Sequence, residues 1–157
     1  MKPTIKQESV DSPAAQELIA ALNAELDERY PEEGANHFRL DPNEVAPGRG
    51  AFLVAYADGV AVGSGAVRLN EPGVAEIKRM YVVPQWRGRG IAGAVLSALE
   101  DHAHQLGARR LVLETGSRQP ESIAVYSRAG FVEIPRFGEY LDSPLSLCMG
   151  KAVGVKR

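Results

Sequence analysis

Apolar positions along the chain follow two rhythms. Between Val10 and Glu28 they recur every three to four residues, at Ala15, Leu18, Leu22 and Leu26, with Ile19 beside them. That spacing predicts an amphipathic helix. Ser12-Pro13 opens it with a capping side chain and a proline at the first helical position, where no N–H is needed. Dense apolar runs come next. Ala51–Tyr56 ends at Asp58-Gly59, Val60–Leu69 at Asn70-Glu71-Pro72-Gly73, and Val74–Val83 at Pro84. Strand-length runs joined by short turns predict an antiparallel meander. Helical spacing returns at Ile91, Val95, Leu96, Leu99 and Ala103, and Gly107 stands where a helix C-terminal cap belongs. Leu111–Thr115 then reads as a short apolar strand, Pro120–Ala129 as a short helix stopped by Gly130, and Phe131–Ile134 and Leu145–Met149 as closing strands.

The expected class is α/β (α+β). We expect a mixed, mostly antiparallel sheet of six to seven strands, flanked by about four helices, with one parallel β-α-β crossover. Residues 1–157 form a single domain in this reading. Residues 27–50, with three prolines, three glycines and many acids, read as a long loop with a helical turn near Asp41-Pro42. A loop of that length in a compact domain is usually functional or mobile.

Composition narrows the possibilities. With 45% apolar and 24% charged residues the chain is neither disordered, collagen-like nor a coiled coil, and its length supports a core without a disulfide or metal staple. No apolar run approaches the ~20 residues of a membrane span, and the N-terminus lacks the apolar stretch of a secretory signal. Cys148 is the only cysteine, so we expect packing rather than a disulfide, and a cytoplasmic location. His102 and His104 are two apart on a helix and His37 is distant, so no metal site is expected. A net charge of −2 leaves no general footprint for nucleic acid. The charge is divided, however. Residues 1–48 carry ten acids and four bases, while residues 49–157 carry fourteen bases and ten acids. That division fits an anion site in the second part and an acidic approach from the first.

The candidate anion site is Gln85-Trp86-Arg87-Gly88-Arg89-Gly90, between a strand and a helix. N–H groups at a helix N-terminus lack intrahelical partners and lie at the positive end of the dipole. Glycines let a ligand approach the backbone, and the two arginines add fixed charge. Gly88-x-Gly90-x-x-Gly93 also matches a dinucleotide fingerprint, with Glu114 ~20 residues on in the place of a ribose-binding acid. A meander precedes these glycines, though, and little chain remains for further βαβ units. A P-loop is excluded because no Gly-Lys-Ser/Thr follows.

The pattern Gln/Arg-x-x-Gly-x-Gly/Ala is filled by Gln85–Gly90 and again, in an overlapping register, by Arg87-Gly88-Arg89-Gly90-Ile91-Ala92. It resembles the acetyl-CoA pyrophosphate loop of the GNAT family of N-acetyltransferases. The strand Ala75–Val82 resembles that family's fourth strand. Gln119–Phe131 is similar to its motif with a tyrosine, here Tyr126, four residues before Gly130-Phe131. The resemblance covers about residues 51–134.

It implies a GNAT-like fold and direct transfer of an acetyl group from acetyl-CoA to a primary amine, that of a small molecule. No metal, nucleic acid or membrane is implied, and a homodimer through the closing strands is consistent with it. By resemblance, Gln85, Arg87, Gly88, Arg89, Gly90, Ile91 and Ala92 hold the pyrophosphate. The backbone of Met80, Tyr81 and Val82 holds the pantetheine arm, Gln119 offers an amide contact where many members carry asparagine, and Arg128 reaches the phosphates. Tyr126 protonates or orients the departing thiol, and Glu76 is the base, directly or through water. Strand alternation would put Glu76, Lys78, Met80 and Val82 on one face, so that Glu76 and Lys78 could instead form a structural pair on an exposed face. Asp27, Glu28, Tyr30, Glu32 and Glu33 are alternative groups on the amine side. Three other readings remain: a non-catalytic acyl-CoA sensor, a transferase acting on protein lysines or N-termini, and a nicotinamide oxidoreductase.

Overall fold

A computed structural model describes residues 2–31 and 42–154. Seven strands form one sheet in the order β1-β2-β3-β4-β5-β7-β6. They are β1 (Thr4–Glu8), β2 (Gly50–Ala57), β3 (Val60–Glu71), β4 (Val74–Val82), β5 (Arg110–Gly116), β6 (Val132–Ile134) and β7 (Ser146–Ala152). All neighbours are antiparallel except β4 and β5. That parallel pair is the expected crossover, carried by a helix, α2. Three α-helices stand among the described residues rather than about four: α1 (Pro13–Arg29), α2 (Ile91–Gln105) and α3 (Pro120–Arg128). The turn expected near Asp41-Pro42 is a single 3-10 turn at Pro42–Val45. Asp41 itself lies outside the described residues, as do Glu32, Glu33 and His37.

Both faces of the sheet are covered, which explains why β2 reads as a continuous apolar run rather than an alternating one. Ala15, Leu18 and Leu22 of α1 bury against Phe52 and Val54 of β2, Ala66 of β3 and Tyr81 of β4. On the other face, Ile91, Val95, Leu96, Leu99 and Ala103 of α2 pack on Leu53, Val67 and Ile77, with Tyr126 and Phe131 extending the same core. Ser12 caps α1 by accepting from the Ala15 N–H at 3.1 Å. Asp58 and Gly59, at φ 52° and 76°, make the left-handed two-residue turn that β2 and β3 require. The strand β1 was not legible: only Ile5 is apolar in TIKQE, and this edge strand is held by its ladder to β2 and by the Tyr56 hydroxyl donating to Glu8.

One irregularity in β4 sets the geometry of the rest. Ser64 pairs with Tyr81 and Ala66 with Lys78, so Gly65 alone opposes Arg79 and Met80. This is a β-bulge, with Arg79 at φ 56°. The extra residue reverses the alternation beyond it. Glu76 and Lys78 face away from α2, but Met80 and Val82 pack with the α2 core and Tyr81 with α1. The expectation of one face for Glu76, Lys78, Met80 and Val82 is therefore corrected. The bulge also fixes Gly65: a Cβ there would stand 2.7 Å from Met80 Sδ and 2.8 Å from both Leu99 Cδ1 and Val95 Cγ1. Gly65→Val should cost about 2–3 kcal/mol through overpacking, read as a lower urea midpoint with an unchanged m-value; a midpoint like that of the native chain would show that the bulge tolerates a side chain.

Candidate active site

β4 and β5 pair only from Val74–Arg110 to Ile77–Leu113. Beyond that point they part. β4 continues to Val82 beside β3, while Glu114–Gly116 of β5 follow β7. A wedge opens between them. Its β4 edge turns backbone donors away from β3, as two contacts show. The Ser64 hydroxyl donates to the Arg79 carbonyl at 3.2 Å, and the Tyr81 carbonyl lies so close to Gly63 of β3 that an added Cβ there would be 3.0 Å away. Both carbonyls face β3. In a trans peptide the following N–H points the other way. The N–H groups of Met80 and Val82 therefore aim into the wedge.

The wide end of the wedge meets the glycine-rich turn. A 3-10 turn at Pro84–Trp86 leads to Gly88 and Gly90, at φ 78° and 84°. Gly90 is the N-cap of α2, whose first helical bond runs from the Ala94 N–H to the Gly90 carbonyl. The N–H groups of Ile91 and Ala92 therefore have no intrahelical acceptor. A Cβ at Gly88 or Gly90 would meet nothing within 4 Å, so the space above the turn is open to a ligand. Gln85, Arg87 and Arg89 are exposed there. Arg89 stacks over the Trp86 ring at 4.7 Å. Arg87 is already engaged, donating to the Val82 carbonyl at 2.9 Å and to Glu25 of α1 at 2.7 Å.

The narrow end holds a cleft with about 830 Å3 of open space. Tyr126 lines it from α3 and is 7% exposed, its ring edge-on to Phe131 at 5.9 Å. Burial first, and the nearby Glu114 carboxylate second, push its hydroxyl well above the usual phenol range. It is thus a neutral donor throughout the physiological range, and full proton transfer from it is more uphill than an ordinary phenol would make it. Gln119 also lines the cleft, but its carboxamide oxygen accepts from the Gly116 N–H at 3.0 Å and so shapes the β5–α3 turn. Tyr30 crosses over that turn and accepts from the Arg118 N–H at 2.8 Å. Arg128 is exposed in the last turn of α3.

Glu76 is not where an exposed pair would put it. It is 1% exposed, and both oxygens are occupied. One accepts from Arg68 Nη2 at 2.9 Å and Nε at 3.3 Å; the other accepts from the Tyr140 hydroxyl at 2.6 Å. The expected Glu76–Lys78 pair is replaced because Arg68 stands directly opposite Glu76 across β3 and β4. Lys78 is itself buried and reaches Glu139 at 3.5 Å. Burial pulls its ammonium down, and the Glu76 and Glu139 charges partly restore it. Of the alternative amine-side groups, Asp27 and Glu28 are exposed on α1, whereas Tyr30 lines the cleft.

Sequence reasoning missed Arg68, Tyr140 and the role of Glu114 in the cleft. Glu114 had one signal, a carboxylate inside an otherwise apolar strand. Cys148 is buried and free, as packing requires. Among the described residues no cluster of His, Cys, Asp and Glu could hold a metal, and no helix is long and apolar enough to cross a membrane.

A wedge lined by outward-facing N–H groups, entered from an open helix N-terminus, suits an anion carrying an extended amide-bearing arm. The comparisons agree. The chain belongs to the Acetyltransferase (GNAT) family, whose model matches residues 15–131. It is 42% identical over 149 residues to the IAA acetyltransferase of Azospirillum brasilense, covering 94% of this chain and 96% of that one. An acyl-CoA N-acyltransferase structure from Klebsiella pneumoniae aligns with a TM-score of 0.81 at 35% identity, covering 97% of this chain and 98% of that one. A GNAT-family acetyltransferase from Elizabethkingia anophelis, solved with acetyl-CoA bound, shares the fold at a TM-score of 0.70 and 17% identity, covering 96% and 98%. The protein is an N-acetyltransferase that moves the acetyl group of acetyl-CoA to an amine.

The Glu76 arrangement makes a stability prediction. Arg68→Met leaves the buried Glu76 carboxylate without its cation and should cost about 3 kcal/mol, whereas Arg68→Met combined with Glu76→Leu should recover only part of that loss, because Glu44 still loses Arg68 and the Tyr140 hydroxyl loses its acceptor. Urea unfolding of the single and double variants measures it. Equal losses would mean that the ion pair does not hold the site together.

Proposed function

We propose that the acceptor is the primary amine of a small molecule, attacked directly without a covalent enzyme intermediate. The observation that carries this reading is the cleft at the fork of β4 and β5, whose lining includes Tyr30, Tyr140 and Leu145. A cleft walled by residues of α1, β4, β5 and α3 together suits a small ligand better than an extended polypeptide. Glu114, on its wall, suits an acceptor that arrives as an ammonium. A cytoplasmic location fits a chain whose one cysteine stays buried and reduced.

In this reading the N–H groups of Ile91 and Ala92, with Gly88, Gly90 and Arg89, hold the pyrophosphate, and Gln85 rims it. Arg87 joins them by exchanging Glu25 for phosphate. Met80 and Val82 donate along the pantetheine arm, with Tyr81 between them fixing the strand against α1. The same edge supplies a donor to the thioester oxygen as it gains charge. Tyr126 donates to the departing sulfur as a neutral hydroxyl, and Gln119 keeps the turn beside it in shape. Glu76 reaches the cleft only through the Tyr140 hydroxyl. Arg128 offers its charge to the distal phosphates.

Calorimetry with acetyl-CoA, and with NADH as control, tests the cosubstrate first. Binding of acetyl-CoA alone is expected; preference for NADH would overturn the reading. Gly88→Asp is the matching variant, because aspartate tolerates the left-handed backbone while placing negative charge in the anion site. It should weaken acetyl-CoA about a hundredfold, or roughly 2.7 kcal/mol, without loss of fold. Tyr126→Phe should lower kcat more than tenfold while acetyl-CoA affinity changes little. Binding without thiol release on any small amine would favour a sensor instead.

A further inference from the structure

Glu114 is the first residue of β5 past the fork, since its neighbour Leu113 makes the last pair with β4. It lies on the face that carries Glu76 and Lys78, because Val112, two residues before it, is in register with Glu76. Tyr126 belongs to the opposite face, in the core with α2. Both line the same cleft. The cleft therefore passes through the sheet at the fork, with a carboxylate on one side and a phenol on the other.

An arm laid along β4 from the glycine-rich turn has a fixed destination. From Val82 back to Ile77 is five residues, roughly 16 Å at the usual strand rise. A reactive group at the tip of that arm arrives at the fork, between Glu114 and Tyr126. The carboxylate there is half prepared. One oxygen accepts from the Ser146 hydroxyl, which lies 2.8 Å from that of Ser143. The other makes no hydrogen bond among the described residues. Glu76, by contrast, has both oxygens occupied and does not line the cleft.

We propose that Glu114 is the group that receives the acceptor's proton, and that the acceptor approaches from its face of the sheet while the thiol departs on the face of Tyr126. The proposal rests on the amine-transfer reading above. The ammonium gives one proton to the Glu114 carboxylate. The nitrogen lone pair then forms the C–N bond as the C–S bond breaks. The sulfur leaves under the Tyr126 hydroxyl and takes the second proton that the nitrogen sheds, and Glu114 returns its own to solvent.

The surroundings of Glu114 suit a base. Burial raises its carboxyl above the ordinary range; the Glu76 and Glu139 charges raise it further, and the Ser146 hydrogen bond and the Lys78 ammonium lower it. Tyr30, Tyr126 and Cys148, which also face it, are all shifted upward by burial and stay neutral. So does Tyr140, which also lines the cleft. A carboxylate so raised is a stronger base than an exposed one. Its active form is the ionised one, so kcat/KM should climb with pH through the raised value.

The test measures thiol release from acetyl-CoA with spermidine and with tryptamine across a pH series. The variants are Glu114→Gln, which keeps the size and the Ser146 contact, and Tyr140→Phe, which cuts the path from Glu76. Glu114→Gln should lower kcat/KM about a hundredfold or more near neutral pH and leave acetyl-CoA affinity within about twofold. Its deficit should shrink as pH approaches the amine's own value of about 10, because the acceptor then arrives already deprotonated. A merely structural role gives no such recovery. Tyr140→Phe should keep the acidic limb of the native profile. If Glu114→Gln keeps that limb and Tyr140→Phe loses it, the base is Glu76 acting through Tyr140 and the proposal is overturned. A native enzyme that binds acetyl-CoA but releases no thiol to either amine rejects the amine-transfer reading, and this assignment with it.

Discussion

The bulge at Arg79 is the constraint on which the site depends. A regular β4 would keep Met80 on the face of Glu76 and continue its ladder to β5. Two residues opposite Gly65 instead turn Met80 and Val82 toward α2 and let the strand diverge. The cost is local: one left-handed non-glycine residue, of the order of 1 kcal/mol, and a side-chain-free position at Gly65. The return is a strand edge with unused N–H groups, ending at the N-terminus of a helix. Donor groups left unpaired in a core would be destabilising. Here they face a cleft, and a bound arm can satisfy them.

A partly buried charge network braces the strands beside that opening. Arg68 reaches Glu76 across the β3–β4 register, Glu44 from the 3-10 turn before β2, and Glu139 from the turn before β7. Three segments distant in sequence meet on one guanidinium. A planar fork with five donors can do this where a lysine could not. Breaking such a group is costly because the buried Glu76 is left desolvated without its cation. The Tyr140 wall of the cleft is positioned through the same network.

The sequence carried the architecture well because its signals were local. Ser12 before Pro13, Asp58-Gly59, Gly90 before Ile91, and Gly107 after α2 each adopt the conformation that their chemistry favours. The glycine-rich turn was legible for the same reason. What escaped depended on contacts between distant residues. The polar edge strand β1 gains its place only from the ladder with β2. The bulge has no composition of its own, so a strict period of two misassigned Met80 and Val82. The partner of Glu76 was misjudged because a neighbour two residues away is visible in sequence and a cross-strand neighbour is not. Arg87 was expected at the anion and pairs with Glu25 of α1.

Glu76 and Glu114 show why residue type and face alone do not assign chemistry. The two carboxylates share a side of the sheet, one on each of the diverging strands. Glu76 lies before the fork, where the ladder is closed, and Arg68 and Tyr140 fill its hydrogen-bonding capacity. A carboxylate so engaged braces the strands and has no oxygen to offer a substrate. Glu114 lies one position past the last pair, where the backbone opens, and a serine engages one of its oxygens. It can change protonation without breaking the brace. A step of one residue across the fork thus separates a charge that holds the sheet together from a charge that is available to a substrate.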